Sequence, residues 1–265
     1  MVTGAASGIG RALAEQLAKE GMSLALCDVH SQRLAESAAK ARGAIGANSS
    51  QVTTHLVDVS DLTQMQAFAE AVVAAHGRVT LLVNNAGVAL HGQFDEFSLE
   101  DFDWLMRINF WGVVNGAKAF LPLLRRERRA HVANLSSIFG IIAPAGQTAY
   151  AASKFAVRGF TEALRHELAG STVGVSCVHP GGIRTRIAMD GRVGAESSES
   201  RENYAAAFEK LAKHSPETAA AKIIAGIKQN KARILIGYEA YALDAIQRIS
   251  PTRYWNVLSR NMKTS

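Results

Sequence analysis

Short apolar runs alternate along the chain with longer segments in which apolar residues recur every three or four positions. The runs Ser23–Cys27, Val52–Val57, Val79–Val83, His131–Leu135, Val173–Val178 and Arg233–Ile236 are rich in Val, Leu and Ile and show little polar alternation. That pattern predicts strands buried on both faces of a parallel sheet. Between them, Ile9–Glu20, Gln32–Arg42, Asp61–His76, Leu99–Leu124, Tyr150–Leu168 and Pro216–Gln229 read as helices. In the first of these, Ile9, Leu13 and Leu17 share one face. Repeated strand–helix alternation implies βαβ units with helices on both sides of the sheet. Right-handed crossovers then give an α/β fold with a doubly wound parallel sheet, in three layers α/β/α.

No linker, repeat or low-complexity tract interrupts residues 1–265, so a single domain is expected. Two stretches stand apart from the regular pattern, a variable one over about 186–214 and an extension over about 237–265. Arg186–Arg201, with Gly191, Gly194 and the polar run 196–200, is the least patterned part of the chain. It follows the end of a sheet strand, where open α/β sheets bind ligands. It reads either as a lid over a substrate or as a plain surface loop. Tyr238–Met262 mixes Tyr241, Ile246, Ile249, Tyr254, Trp255 and Leu258 with Arg248, Arg253, Arg260 and Lys263, and Pro251 breaks it. Covering the substrate cleft ranks first for this segment, then joining an oligomer interface, then lying on a membrane surface as a basic amphipathic helix.

Composition narrows the classes. A hydrophobic share of 48% against 20% charged residues excludes a disordered chain. The formal charge of +6 allows an anionic partner. The basic residues are scattered, however, and the densest run, Arg125-Arg126-Glu127-Arg128-Arg129, falls where a helix C-terminus is expected. Nucleic-acid binding needs an organised basic face, so no nucleic acid is expected as a partner. No apolar stretch approaches the ~18 residues of a membrane span, and no basic-then-apolar leader is present. Cys27 and Cys177 lie inside apolar runs and read as small core residues. A cytoplasmic protein is the expectation. The histidines show no ligand spacing, His166-Glu167 reads as a solvated helix face, and Gly-x-Ser-x-Gly is absent. Neither a metal site nor a serine hydrolase is expected.

Thr3-Gly4-Ala5-Ala6-Ser7-Gly8-Ile9-Gly10 runs straight into a helix. Glycines allow a tight turn and a close approach to a bulky anion, and the helix N-terminus supplies free N–H groups for a pyrophosphate. The spacing is G-x-x-x-G-x-G, unlike the common dinucleotide fingerprint. Only Met1 and Val2 precede the motif. The strand that should precede the motif is therefore expected to be truncated or abnormally short against the usual five or six residues. Asp28 ends the second strand, where an acid can accept hydrogen bonds from an adenosine ribose and repel the extra phosphate of NADP. Ser7 and Val29 offer no cation to offset it, while Arg33 is the one residue that could. A helix-capping role for Asp28 is the competing reading, although Ser31 could supply that cap. NAD is the expected cofactor, ahead of NADP.

Tyr150-Ala151-Ala152-Ser153-Lys154 puts a phenol and an ammonium four residues apart, on one face of a helix. A nearby cation lowers a phenol's pKa and makes a usable general acid/base. His131–Leu135 delivers Ser136-Ser137 at its carboxyl end, and Ser137 precedes Tyr150 by thirteen residues. With these residues the chain resembles the short-chain dehydrogenase/reductase family, in its NAD-preferring single-domain branch. The glycine motif is Thr3–Gly10, the Asp-Val pair beside the adenine is Asp58-Val59, and the Asn-Asn-Ala-Gly motif is Asn84-Asn85-Ala86-Gly87. A helix asparagine, Asn109, follows, then Ser137, Tyr150 and Lys154, then Pro180-Gly181-Gly182-Ile183-Arg184-Thr185. The resemblance covers Val2 to Thr185 strongly and the remainder weakly.

That resemblance implies a Rossmann fold and an oxidoreductase that moves hydride between NAD(H) and a secondary alcohol or ketone. It implies that Tyr150 exchanges the proton, Lys154 lowers its pKa and holds the nicotinamide ribose, and Ser137 polarises the carbonyl. Asn109 would hold a water that links Lys154 to solvent. Gly4, Ser7, Gly8, Ile9, Gly10, Asp28, Asp58, Val59, Asn85, Ala86, Gly87, Pro180, Gly181, Ile183 and Thr185 would line the cofactor groove, with Ile183 and Thr185 at the carboxamide. Read alone, Asn84 and Asn85 fit a turn cap equally well. Ile138, Phe139, Ile141, Ile142 and Ile187 suggest an apolar lining, hence a lipophilic small molecule. The alternatives are an NADP-dependent carbonyl reductase and a non-catalytic dinucleotide-binding regulator. Leu99–Leu124 and Tyr150–Leu168 carry apolar residues on more than one face. The family packs these helices against a second copy, so a homodimer or homotetramer is expected.

Overall fold

The computed structural model describes residues 1–45, 50–198 and 200–256. Its strands are β1 (Val2–Thr3), β2 (Leu24–Asp28), β3 (Val52–Leu56), β4 (Leu81–Asn84), β5 (Leu90–His91), β6 (Ala130–Leu135), β7 (Val173–Pro180), β8 (Arg192–Val193) and β9 (Arg233–Ile236). Its α-helices are α1 (Gly8–Lys19), α2 (Ser31–Ala44), α3 (Leu62–His76), α4 (Leu99–Met106), α5 (Gly112–Leu124), α6 (Thr148–Glu167), α7 (Arg201–Leu211), α8 (Pro216–Lys228) and α9 (Tyr238–Ile249). Seven strands form one parallel sheet in the order β3-β2-β1-β4-β6-β7-β9. The order reverses between β1 and β4, which opens a crevice at the carboxyl ends of those strands.

Alternate side chains of each strand enter two cores. Leu24 and Leu26 join Val2, Leu13, Leu17, Leu34 and Ile223 beneath α1, α2 and α8. Ala25 and Cys27 join Met65, Phe68, Phe120 and Leu164 beneath α3, α5 and α6. β1 is two residues long yet central: Val2 lies opposite Leu26 on one side and Val83 on the other. The ladder continues through the Met1 nitrogen, which donates to Leu81 O at 2.6 Å.

Three expectations are corrected. Strand β3 is not buried on both faces. It is an edge strand, its covered face packs into the core at Val52, and Leu56 at its end is 63% exposed. The single helix expected over Leu99–Leu124 is interrupted by a π-turn at Arg107–Trp111. The extra residue in that turn carries Asn109 into the interior, an arrangement common at functional sites. The stretch over 186–214 is more ordered than a loop. It contributes β8, which pairs with β5, and then α7. Among the described residues, no helix is long and apolar enough to cross a membrane.

Candidate active site

The glycine turn lies at the crevice between β1 and α1. Ser7 is extended there, at φ −156°, and its hydroxyl makes no capping bond. The first-turn N–H groups of α1 therefore remain for an anion. Gly8 has φ +51°, a backbone that side chains disfavour. At Gly10 a Cβ would stand 2.2 Å from Gly4 O and 2.6 Å from Asn85 Nδ2, so no larger residue fits. Asn85 is the brace of this turn: its amide donates to Thr3 O at 2.8 Å and to Gly4 O at 3.0 Å. Thr3 Oγ1 in turn accepts from the backbone of Asn85 and Ala86. Asn84 is buried and donates to Asn134 Oδ1 at 2.8 Å, tying β4 to β6. A Cβ at Gly87 would come 3.1 Å from Asn109 Oδ1 and 3.3 Å from Lys154 Nζ, so this turn reaches both side chains.

Asp28 closes β2 beside the glycine turn. Its Oδ2 accepts from Ala6 N and its Oδ1 from His30 N, each at 3.0 Å. Burial pushes its carboxyl above the ordinary range, and the backbone N–H groups of Ala6 and Val29 and the charge of Arg33 pull it back. Ser31 does not take the cap position of α2; His30 does, without a side-chain bond. Arg33 is drawn to Asp190 at 2.9 Å, an ion pair that joins α2 to the segment after Thr185. Further along, Asp58 Oδ1 accepts from Ser60 N at 2.8 Å, while Val59 is buried against Gly112 and its carbonyl takes the Asn115 amide at 2.9 Å.

The end of β6 and the first turns of α6 bring Ser137, Tyr150 and Lys154 together. The Ser136 hydroxyl is turned into the core, where it donates to Lys154 O at 2.8 Å. Ser137 Oγ accepts from Phe139 N at 3.1 Å and stands beside the Tyr150 phenol. Burial pushes the phenol above its usual range, the Ser137 hydroxyl draws it back, and Tyr204 adds to the upward push. Lys154 Nζ donates to Leu135 O at 3.1 Å and lies 5.5 Å from the Tyr150 ring centre. Its own ammonium is disfavoured by burial, which pulls it down to about 8. Lys154 thus stands beside Tyr150 as the spacing implies, while the burial that raises the phenol also disfavours the charge of the lysine.

Asn109 is fully buried. Its Oδ1 accepts from Val88 N at 2.8 Å, and its Nδ2 donates to Val88 O at 3.0 Å and Ser153 Oγ at 3.1 Å. The side chain thus splints the exit of β4 to α6, and its amide is already occupied by protein. The Pro180–Thr185 segment leaves β7 under similar bracing. Gly181 packs on Glu239, Gly182 N donates to Glu239 Oε1 at 3.1 Å, and Glu239 Oε2 meets His214 Nε2 at 3.0 Å. Ile183 is a core residue, 3% exposed, so its side chain is turned away from the crevice into the core under α1 and α8. The Thr185 methyl rests against Gly8.

Several residues of the site lie beyond what the sequence reading singled out. His179 is buried beneath Ser137, with Nδ1 2.9 Å from Ser137 O. Glu239 and His214 come from distant segments, and His91, Gln147 and Tyr204 gather on the far side of Tyr150. Gln147 stands three residues before Tyr150 and His179 directly precedes Pro180, but their roles depend on partners from distant segments that local spacing does not reveal. The described part of the C-terminal segment packs over the loop that follows Ser137. Tyr254 OH accepts from Ala143 N at 3.0 Å, and Trp255 lines an apolar cavity of about 620 Å³ with Phe155, Ala151 and Ala152. Leu258, Arg260, Met262 and Lys263 lie outside the described residues.

The sequence model of the short chain dehydrogenase family matches residues 1–195. The Mycobacterium tuberculosis protein SadH is 45% identical over 262 residues, 98% of this chain and 93% of that one. The 3-oxoacyl-acyl-carrier-protein reductase FabG of Thermotoga maritima is 36% identical over 185 residues, 70% of this chain and 74% of its own length. Among solved structures, a short chain dehydrogenase/reductase from Burkholderia phymatum in complex with NAD superposes with a TM-score of 0.82 at 35% identity, covering 93% of this chain and 91% of that chain.

Proposed function

The chain belongs to the short-chain dehydrogenase/reductase family, and we propose that it moves hydride between NAD and the carbinol or carbonyl carbon of a lipophilic secondary alcohol or ketone. The observation that carries this reading is the meeting of Ser137, Tyr150 and Lys154 beside the turn that joins Gly87 to Asn109. The glycine turn fits a dinucleotide: Gly10 leaves no space for a side chain, α1 offers unpaired N–H groups, and Asp28 stands where a ribose would lie. The bound dinucleotide supplies the hydride acceptor or donor. The chain does the rest. In oxidation, Tyr150 Oη takes the hydroxyl proton while Ser137 Oγ holds the same oxygen; in reduction, Tyr150 returns it. Lys154 fixes the nicotinamide ribose and steadies the negative charge on Tyr150 when the phenol loses its proton. Both Nδ2 hydrogens of Asn109 are engaged, so a water that relays protons past it would meet the second lone pair of Oδ1 or the backbone of the π-turn.

NAD is preferred over NADP because Asp28 repels a 2′-phosphate and Arg33 is held by Asp190. Phe139 packs edge-on against Tyr150, 6.2 Å between ring centres, which supports an apolar substrate. Trp111, 52% exposed, and Phe155, 38% exposed, support burial of the α5 and α6 faces in a homodimer or homotetramer. Tyr150→Phe tests the reaction. It should abolish alcohol oxidation while NAD still binds within a few-fold of the unmodified protein. Substantial remaining turnover would remove Tyr150 as the proton carrier.

A further inference from the structure

Near Tyr150, where β5 and α7 approach the start of α6, lies a cluster that proton transfer does not use. His91 ends β5, Gln147 directly precedes α6, and Tyr204 rides on α7. The His91 and Tyr204 rings stack, with 4.2 Å between centres and 12° between planes. The His91 ring also lies against Gly146, which has φ +74° and where a Cβ would come 3.1 Å from the ring. Gln147 Nε2 is 2.9 Å from His91 Nδ1 and 3.4 Å from the Tyr204 oxygen. With the amide nitrogen donating to both, His91 Nδ1 and the Tyr204 oxygen are the acceptors of the cluster. The Gln147 side-chain oxygen is then the group's spare acceptor. It takes no hydrogen bond among the described residues, although Gln147 is only 6% exposed. The oxygen is not sealed from solvent, so it is open to a donor brought by a ligand.

The cluster is built rather than incidental. The pairing of β5 with β8 places His91 opposite Val193. Arg192 anchors the same strand by bonding Asp101 at 2.7 Å and covering the Trp104 ring at 3.8 Å. Gln147 and Tyr150 stand three residues apart where α6 begins, so they share a face with Cβ atoms roughly 5–6 Å apart. Tyr204 is close enough to Tyr150 to push its phenol upward.

We propose that His91, Gln147 and Tyr204 form a subsite for a second hydroxyl of the substrate, so that the enzyme prefers alcohols carrying another hydroxyl a few carbons from the reacting one. Gln147 Oε1 accepts that O–H, and His91 and Tyr204 hold the amide so that its oxygen stays available. The inference rests on the dehydrogenase reading above and narrows its substrate class to lipophilic diols and hydroxyketones. A site built around a substrate hydroxyl rejects analogues that lack it more strongly than an apolar pocket rejects a size change.

The test is NADH formation by the full chain with matched alcohols: cyclohexanol against the cyclohexanediols, and a linear secondary alcohol against its vicinal and 1,3-diols. The unmodified protein should favour at least one diol by about ten- to hundredfold in kcat/KM. Gln147→Leu should collapse that preference toward unity, chiefly through KM, and Gln147→Glu, which keeps an acceptor, should retain part of it. Tyr204→Phe should lose a smaller share and serves as the second variant if Gln147→Leu does not fold. A brace without substrate contact predicts equal losses on mono-alcohols and diols. Equal rates on both series in the unmodified protein, or a diol preference that survives in Gln147→Leu, would overturn the subsite while leaving the dehydrogenase reading intact. No oxidation of any alcohol by NAD-bound protein would overturn both.

Discussion

Replacing Asp28 by serine removes one carboxylate from the mouth of the dinucleotide crevice, and its consequences separate into a structural and an electrostatic part. The structural part is the loss of two hydrogen bonds, from Ala6 N and His30 N, each 3.0 Å long. Serine can replace one of them, so the stability cost should be roughly 1–2 kcal/mol, a fall in Tm of a few degrees. The electrostatic part concerns the 2′-phosphate of NADP. Two unit charges about 5 Å apart repel by about 3 kcal/mol at an effective dielectric near 20. A phosphate carries more than one charge, whereas Asp28 is partly exposed and screened. A net relief of about 2–3 kcal/mol is expected, which shifts the NADP-to-NAD affinity ratio by roughly thirty- to hundredfold. Calorimetric titration of both dinucleotides into the folded variant measures it, with a melting curve as the folding control. Asp190→Asn added to the same chain should widen the shift, because it releases Arg33 from its 2.9 Å ion pair toward the phosphate. A ratio that changes by less than about threefold in a folded protein would refute the placement of the ribose beside Asp28.

Gly10→Ala puts a Cβ 2.2 Å from Gly4 O, so the glycine turn must open and NAD affinity should fall more than about tenfold, read by the same titration. Asn109→Leu strands both backbone groups of Val88 in the interior. Urea unfolding should show a loss of roughly 2–4 kcal/mol, and a near-neutral result would mean that the splint is dispensable. The pH profile has a definite sign. Burial keeps Tyr150 protonated, so the base form needed for alcohol oxidation grows as pH rises, and kcat/KM for oxidation should climb up to tenfold per unit between about pH 7 and 9. Ketone reduction needs the phenol intact and should hold steady over the same range. Lys154 loses its charge near pH 8 in the free protein, which should flatten the upper part of the oxidation limb. Oxidation that declines from neutral to alkaline pH in a folded enzyme would contradict this assignment.

What the amino-acid sequence determined by itself is everything carried by period and by short spacing. The Val- and Leu-rich runs specify parallel strands because both of their faces must be covered, and both cores are filled in that way. The glycines before α1, Asp28 at the end of β2 and the Tyr150–Lys154 pair are legible because each function is met within one turn or one strand end. Tertiary structure alone decided the environment of those groups. The π-turn that buries Asn109 has no periodic signature in an apolar helix. Glu239 and His214 brace Gly182 from two other segments, and His91, Gln147 and Tyr204 meet from three. Even the charge of Lys154 is a property of the fold: spacing puts it on the face of Tyr150, but burial beneath β6 decides how much of that charge remains. Hydrogen bonds between distant segments and the exclusion of water arise only when the sheet closes, and no local pattern encodes either.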